Sequence, residues 1–446
     1  MLNPRFSIVI PTRNRHTTLK YALLTCLNQQ NFDDYEIIVC DNCSSPETRE
    51  TVESFESEKI KYIRSDRPLA MSRNWELAIS HAEGEYVIVI GDDDGLLLNA
   101  LTRIDGLLRI LSVKALCWQY VYYRWPDSPI EPNGLHIPLT GENRILQCRD
   151  IISKVANYKM VYLMLPQLYN SAIHRDLINL LREKTGKVFS ASSPDIYSGF
   201  ALAYLSQRYA SIGTPMSIAG TSAASNGYAC IGPVDNPIAQ EFNLLNEEMQ
   251  LSCHPQIPDV PVLPAAIADS FQRAKDALFP DDERFCIDRK KLIINCVWSL
   301  YLRYCENLDD EAKFRMYMGK NRDSLADDIK LQKWFDNRFK KLSMDDENFV
   351  PRWDRLLRRL DSRFFRSNSQ NSHPKGFKKG FNGRDLLLDA AEFDLKNVFT
   401  VAEFCEKFYN PEINGLVWHG QGDRAELLIQ IKKIRPSIYK ILKNYI

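Results

Sequence analysis

YVIVIGDDDG, residues 86–95, places three consecutive aspartates directly after a short apolar run. A run rich in β-branched residues that ends at a polar turn is typical of a buried strand in a parallel sheet. Three neighbouring carboxylates repel one another, and partial burial adds to that cost unless a cation compensates them. Hard oxygen ligands suit Mg²⁺ or Mn²⁺, which are often shared with substrate phosphates. The stretch therefore predicts a divalent metal site that holds a diphosphate; its plain alternative is a solvated turn rich in aspartate.

The same alternation of strand and helix extends outward from this stretch. Short apolar runs are separated by amphipathic segments, which is the pattern of βαβ units around a mainly parallel sheet. The runs predicted as strands cover residues 6–10, 35–40, 60–63, 86–90 and 114–123. Polar clusters follow the first four runs, at residues 11–15, 41–45, 64–67 and 91–95. Because ligands bind outside the carboxyl ends of the strands in open α/β sheets, we expect these four loops to meet at one site.

The loops before the aspartates carry the groups that a nucleotide needs. Thr12, Arg13 and Arg15 offer donors for a phosphate or a base. Asp41 can accept a hydrogen bond from a base N–H or a ribose hydroxyl. Each has a structural alternative, since Asp41 can serve only as a turn or cap residue and the two arginines as surface charges. Together they predict a nucleotide pocket beside the acidic loop.

Five segments in this order resemble the family 2 glycosyltransferases. They are FSIVIPTRNR at 6–15, VCDNCSS at 39–45, SRNW at 72–75, AEGEY at 82–86 and IGDDD at 90–94. The resemblance covers residues 1–110 strongly and fades towards residue 230. It implies a GT-A fold, a nucleotide-sugar donor, a divalent cation and inversion at the anomeric carbon. A UDP-sugar is the donor expected first.

The loops and the resemblance together assign roles to individual residues. The predicted donor-binding residues are Pro11, Thr12, Arg13, Arg15, Asp41, Arg73, Asn74, Asp92 and Asp93. Asp93 and Asp94 match the metal-binding acids of the family. Gly91 stands where the family more often has an acid, which leaves open which two of the three aspartates act. Many relatives also carry a histidine that completes the metal site, and residues 216–228 contain none.

An inverting transfer also needs a base that removes the proton of the acceptor hydroxyl. In the family this base is an acid near the start of a helix that follows the metal motif. Ser193-Pro194-Asp195 resembles that position, so Asp195 is the predicted catalytic base. The alternative is that Asp195 only starts or caps its helix, a role that aspartate often fills.

Composition shifts along the chain suggest a division into domains. Four prolines repeat at every third residue from Pro255 to Pro264, a polyproline II spacing that suits a stiff linker. Beyond them the pattern is predominantly helical. We predict a GT-A domain at 1–232, with a nucleotide-binding half at 1–110 and an acceptor half at 111–232, a proline-rich linker at 233–265 and a helical C-terminal domain at 266–446.

Charge and cysteine usage exclude several classes of function. Basic and acidic residues number 57 each, so no global charge field points to nucleic acid. The 11 cysteines are an odd number spread along the chain, which favours reduced thiols over a disulfide framework. The chain lacks an apolar run long enough to span a bilayer, and its beginning lacks the pattern of a secretory signal. We therefore expect a cytoplasmic protein.

Residues 351–380 form a basic amphipathic segment that has two interpretations. It could make peripheral contact with an anionic membrane surface, where a lipid-linked acceptor would lie, or it could be a core-facing helix with a solvated basic face. The sequence as a whole favours a metal-dependent inverting glycosyltransferase that acts on a saccharide or lipid-linked glycan acceptor in surface polysaccharide synthesis. Two alternatives stay open: an inactive GT-A domain that serves as a scaffold, and a sugar-phosphate nucleotidyltransferase. The latter normally has a glycine-rich loop after its first strand, and residues 11–15 contain no glycine.

Overall fold

The computed structural model describes residues 3–139, 141–225, 237–306, 308–339, 379–382 and 384–409. The basic segment 351–380 lies outside these ranges except for its last two residues, so membrane contact through it stays a prediction. Within the described ranges, no helix combines the length and the apolar character that crossing a bilayer requires.

The first half of the sheet is parallel, as its sequence pattern predicts. Its elements are β1 (Phe6–Thr12), α1 (His16–Leu27), β2 (Tyr35–Asp41), α2 (Pro46–Glu53), β3 (Ile60–Arg64), α3 (Met71–Ser80) and β4 (Tyr86–Val89). Strand β1 pairs in parallel with β2 and β4, and β2 pairs in parallel with β3. The register sets Thr12 beside Asp41 and Asp41 beside Arg64. The polar loops therefore meet at one edge of the sheet.

The second half adds antiparallel strands. Its elements are β5 (Gly95–Leu96), α4 (Ala100–Leu111), β6 (Ala115–Arg124), β7 (Gly134–Pro138), β8 (Arg144–Gln147), α5 (Cys148–Ala156), a 3₁₀ turn (Tyr162–Met164), β9 (Ser171–His174), α6 (Arg175–Thr185), α7 (Pro194–Ser206) and β10 (Arg208–Thr221). Strand β9 joins β4 to β6 by antiparallel pairing on both sides. The expected GT-A architecture of a sheet flanked by helices is confirmed, but the sheet is mixed rather than mainly parallel, because β5, β7, β8 and β9 pair antiparallel.

The C-terminal part contains helices and two more strands. Its elements are α8 (Pro237–Glu248), α9 (Leu263–Leu278), α10 (Arg289–Cys305), α11 (Glu311–Asp323), α12 (Ile329–Phe339), β11 (Gly380–Phe381), β12 (Asp385–Asp389), a 3₁₀ turn (Ala390–Phe393) and α13 (Val398–Cys405). The predicted linker thus contains a helix, α8. Helix α9 packs on α7, where the rings of Phe200 and Phe271 lie 5.3 Å apart. The helices therefore share a hydrophobic core with the sheet.

Residues 380–389 differ from the all-helical expectation for 266–446. Strand β12 pairs antiparallel with β7, and the sheet runs in the order β11-β12-β7-β6-β9-β4-β1-β2-β3. The reason lies in the alternation of DLLLD, because Leu386 and Leu388 are both buried on the same face of the strand. Helix α13 then packs against α1. The end of the described chain thus belongs to the same sheet as its beginning.

Candidate active site

The three aspartates after β4 are all buried, but their carboxylates have different partners. Asp92 accepts one hydrogen bond from the Thr12 hydroxyl at 2.7 Å and another from the Arg15 guanidinium at 3.0 Å. The loop after β1 and the loop after β4 are therefore joined at the carboxyl edge of the sheet. This contact brings together Thr12, Arg15 and Asp92, as the sequence predicts.

Asp94 holds the acidic loop in place. Its Oδ1 accepts from the backbone N–H of Gly220 at 2.8 Å, and its Oδ2 accepts from the N–H of Gly91 at 2.8 Å and from the Tyr169 hydroxyl. Burial, and next to it the neighbouring Asp93, raises the pKa of Asp94 to about 7. Both oxygens of Asp94 are thus engaged by the protein. Its predicted part in a metal site stays a prediction.

Asp93 keeps one oxygen available. Its Oδ2 accepts from the Ser222 hydroxyl at 2.9 Å and from the Ser222 N–H at 3.3 Å. Its Oδ1 receives no hydrogen bond from the described residues. Burial raises the pKa of Asp93, while the charge of Arg15 opposes that shift. Asp93 is therefore the aspartate of the loop that is best placed to bind a cation.

A divalent cation fits this site through Asp93. Mg²⁺ and ions like it commonly bind through one or two carboxylates, keep several waters and share the phosphates of the substrate. The described residues contain no group of three or more histidine, cysteine, aspartate or glutamate side chains that could hold a metal ion by themselves. Within the acidic loop, Asp93 thus offers the one carboxylate oxygen that no described residue bonds, which suits an ion that a diphosphate helps to hold.

Arg15 provides part of the positive charge that compensates the three aspartates, a role that the sequence analysis gives to a metal ion alone. Its guanidinium bonds Asp92 and also donates to the carbonyl of Ala224, just beyond β10. The acidic loop can therefore fold with a protein cation beside it, because Arg15 offsets the repulsion among the carboxylates.

Gly91 is explained by the crowding around these carboxylates. A Cβ added to Gly91 would lie 3.0 Å from Oδ2 of Asp94 and 3.2 Å from Oδ1 of Asp93. An acid at this position would add both bulk and a further negative charge to the buried loop. Glycine at position 91 thus leaves room for the carboxylates of Asp93 and Asp94 at the end of the strand.

Asp41 is fully buried, and its carboxylate is bonded by the loop that follows it and by β3. Its Oδ1 accepts from the N–H of Ser44 at 2.8 Å, and its Oδ2 accepts from Arg64 at 2.8 Å and from the Tyr62 hydroxyl. Burial, together with this bond to Asp41, raises the pKa of Tyr62 to about 12. The sequence prediction omitted Tyr62 and named Arg64 only as part of a polar cluster. Their spacing of two residues on β3, which puts both on one face, was the available signal.

The remaining residues predicted to bind the donor fall into two groups. The amide of Asn74 bonds Cys40, with Nδ2 donating to the carbonyl at 3.4 Å, so Asn74 ties α3 to β2. Arg13 donates to the carbonyl of Asn42 at 3.0 Å and pairs with Glu241 on α8. Pro11 and Arg73 are half-buried near the same edge. Asn74 therefore positions the pocket, while Arg13, Pro11 and Arg73 can line it.

Asp195 occupies the first turn of α7, directly after Pro194. It is half-buried, and among the described residues no side chain donates a hydrogen bond to its carboxylate. Burial raises the pKa of Asp195 to about 6. Tyr120 and Tyr162 are close enough to feel its charge, which further raises their own pKa values above those set by burial. Asp195 thus has no side-chain hydrogen-bond partner among the described residues, and backbone N–H groups at the start of α7 are its only hydrogen-bond donors there.

Tyr120 links Asp195 to the acidic loop. It lies within electrostatic range of both Asp195 and Tyr169, and Tyr169 bonds Asp94. Two tyrosines therefore connect the predicted base with the acidic loop. Sequence analysis missed Tyr169, whose position before β9 carries no motif.

Changing Gly220 to alanine is expected to destabilise the protein by about 3 kcal/mol, because the new Cβ would overlap the acidic loop. The Cβ would lie 1.7 Å from the carbonyl oxygen of Asp93 and 2.9 Å from Nε1 of Trp125, which donates to that carbonyl. Gly106→Ala in α4 is the matched control, since nothing lies within 4 Å of its added Cβ. Chemical denaturation should show the control at least as stable as the parent. Equal stability of Gly220→Ala and the parent would contradict the close approach.

Known proteins resemble this chain in its N-terminal part. Residues 7–157 match the family described as Glycosyl transferase family 2. The chain is 35% identical over 104 residues to the GalNAc(5)-diNAcBac-PP-undecaprenol beta-1,3-glucosyltransferase of Campylobacter jejuni, and 34% identical over 106 residues to the abequosyltransferase RfbV of Salmonella typhimurium. Each match covers 23% of this chain, and they cover 33% and 32% of the two relatives. The chain thus spans about a third of the length of these relatives.

Among solved structures, the chain is similar to S. aureus TarS 1-349 in complex with UDP. The TM-score is 0.41 at 14% sequence identity, and the match covers 72% of this chain and 90% of that chain.

Proposed function

We propose that this chain, which carries a family 2 glycosyltransferase domain at residues 7–157, transfers a sugar from a nucleotide-sugar donor to a hydroxyl of a glycan acceptor with inversion at the anomeric carbon. One observation carries the proposal. Asp93 is buried and keeps one oxygen free of hydrogen bonds from the described residues, and Asp195 is half-buried and has no side-chain donor among them. Tyr120 is within electrostatic range of Asp195 and of Tyr169, which bonds the acidic loop. Such a pair can serve the leaving group and the attacking hydroxyl separately.

The nucleotide of the donor would bind along the carboxyl edge of β1, β2 and β3. Pro11, Arg13 and Arg73 are half-buried at this edge, and Asp41 lies beneath it. The Asp41 carboxylate is already held by Tyr62 and Arg64, so a base N–H would add to an acceptor whose direction is fixed. We expect a UDP-sugar as the donor.

The diphosphate of the donor would lie beside the acidic loop. Mg²⁺ or Mn²⁺ bound to Asp93 would stabilise the charge that develops on the departing diphosphate. Ser222 holds the other oxygen of Asp93 and so fixes the direction of the free one. Arg15 holds Asp92 in place beside Thr12.

Asp195 would remove the proton of the attacking hydroxyl. Its pKa of about 6 leaves it ionised at neutral pH and still basic enough to accept a proton. The lack of a side-chain partner among the described residues leaves its oxygens open to the acceptor.

The acceptor would be a saccharide or a lipid-linked glycan of surface polysaccharide synthesis. The name of the Campylobacter jejuni relative includes an undecaprenol-linked glycan, which supports a lipid-linked acceptor. An acceptor sugar whose hydroxyl faces Asp195 would lie near Tyr120 and Tyr162. The apolar face of its ring could then pack against these aromatic side chains.

Calorimetric titration of the full chain with UDP, GDP and CMP, each with and without Mn²⁺, tests this proposal. We expect UDP to bind and its affinity to rise about tenfold or more with Mn²⁺, because the ion joins Asp93 to the diphosphate. The gain from Mn²⁺ should disappear in Asp93→Ala and persist in Asp127→Ala, which removes an exposed acid. Failure of all three nucleotides to bind would overturn the proposal in favour of a scaffold.

A further inference from the structure

A second polar contact lies away from the acidic loop, where the start of α3 meets the segment between α6 and α7. The Ser72 hydroxyl donates to the carbonyl of Ala191. Oε2 of Glu76 accepts from the backbone N–H of Val188 at 2.8 Å and of Phe189 at 3.2 Å. These bonds fix the segment 187–191 against α3. The segment then leads directly to Asp195.

Arg73 and Lys187 form a basic pair on the two sides of this contact. Both side chains are half-buried, and neither has a hydrogen bond or an ion pair with the described residues. Burial lowers the pKa of Lys187, and the charges of Arg73 and Arg273 lower it further, while the charge of Glu76 opposes that shift. Arg73 and Lys187 are therefore within electrostatic range of each other, and their like charges repel.

The acids nearby are already engaged. Oε1 of Glu76 accepts from Arg182 at 3.2 Å, while its other oxygen serves the backbone of the segment. Arg273, the third cation, is paired with Asp269 at 3.0 Å. The basic pair thus lacks a counter-ion of its own among the described residues. An incoming anion would relieve the repulsion and form charge-assisted hydrogen bonds with both side chains.

We propose that Arg73 and Lys187 form a subsite for an anionic group, a phosphate or a carboxylate, on the acceptor. The proposal rests on the function proposed above. Lys187 precedes Asp195 by only a few residues along the chain, and the proposed role of Asp195 as the base is what assigns this anion to the acceptor. Arg73, which the sequence also assigns to the donor, would then lie between the two substrates. Lys187 is specific to the subsite.

Three small probes with the same ring test the subsite: glucose 1-phosphate, glucuronate and glucose. Their binding to the full chain is measured by ligand-observed NMR, first alone and then with a saturating nucleotide. We expect one of the two anions to bind about tenfold more tightly than glucose, with or without the nucleotide. Preference for glucose 1-phosphate points to a phosphate on the acceptor, and preference for glucuronate points to a carboxylate.

Lys187→Gln should abolish this preference, while Lys184→Gln, which changes an exposed lysine just before the segment, should keep it. The thermal unfolding midpoint of Lys187→Gln should equal or exceed that of the parent, because the change removes an unpaired half-buried charge. A lysine with only a structural role would lower the midpoint instead.

Several results would overturn the subsite. They are equal binding of all three probes, an unchanged preference in Lys187→Gln, and displacement of the anion by the nucleotide, which would assign the pair to the donor. Hydrolysis of the donor without acceptor reports the proposed function separately. If hydrolysis occurs while the preference is absent, the subsite fails and the proposed function stands. If no nucleotide binds, the proposed function fails, and the probes still test the basic pair in the free protein.

Discussion

Replacing Asp93 with asparagine is expected to lower kcat/KM for sugar transfer by about a thousandfold, because Asp93 offers the free carboxylate oxygen beside the proposed diphosphate. Asparagine keeps the shape of the side chain and an oxygen that can accept the Ser222 hydroxyl bond at 2.9 Å. The change therefore removes the negative charge and should preserve the structure of the loop. Initial rates of transfer at saturating Mn²⁺ measure the effect.

Asp127→Asn is the matched control, since it makes the same chemical change at an exposed position. Asp94→Asn provides a contrast. Its amide nitrogen cannot accept from the N–H of Gly91 or Gly220, so it should destabilise the fold by about 2 kcal/mol. Transfer by Asp93→Asn at the rate of the parent would show that the acidic loop does not act through Asp93.

Replacing Asp195 with asparagine is expected to lower kcat by about a hundred- to ten-thousandfold, the contribution that a positioned general base commonly makes. It should also remove a pH dependence. The pKa of Asp195 is raised to about 6 by burial, and only the ionised carboxylate can accept the proton. The activity of the parent should therefore fall about tenfold for each pH unit below 6 and level off above it.

Rates measured between pH 5 and pH 8 on the parent, on Asp195→Asn and on Glu183→Gln test this assignment. Glu183 is an exposed acid on α6, so its variant should keep the full pH profile of the parent. If Asp195 only caps its helix, its variant will lose stability instead, and the inflection near pH 6 will persist in whatever activity remains.

The sequence predicts that the polar loops meet at one edge of the sheet, because this feature depends on local patterns. Apolar runs that end in polar clusters predict parallel strands, and parallel strands bring their carboxyl ends to one edge. Thr12, Asp41 and Asp92 accordingly lie where the pattern predicts them. The five strands predicted in the first part of the chain correspond to β1, β2, β3, β4 and β6.

The different partners of the three aspartates could not be predicted in the same way. Asp94 is bonded by Tyr169 and Gly220, which lie 75 and 126 residues further along the chain. Asp93 is bonded by Ser222, which arrives with the end of β10. Such bonds depend on how distant strands pair, and a single sequence carries no local signal for them.

Strand β12, which adds the C-terminal part of the chain to the sheet, could not be predicted for a similar reason. DLLLD at 385–389 is a short alternating run after a long stretch with helical patterns, and its partner β7 lies at 134–138. Length and local pattern do not distinguish such a strand from a loop. Only the pairing with β7 identifies it.

This pairing has a consequence for the order in which the protein can fold. Strand β12 covers the edge of β7, helix α13 covers α1, and Glu406 pairs with Arg103 at 2.7 Å. During synthesis the N-terminal strands emerge first, yet their edge and their outer face stay open until residues 385–409 have left the ribosome. A growing chain therefore carries the polar loops at the carboxyl edge long before the sheet beneath them is complete, and the sheet can close only when the last described elements have emerged.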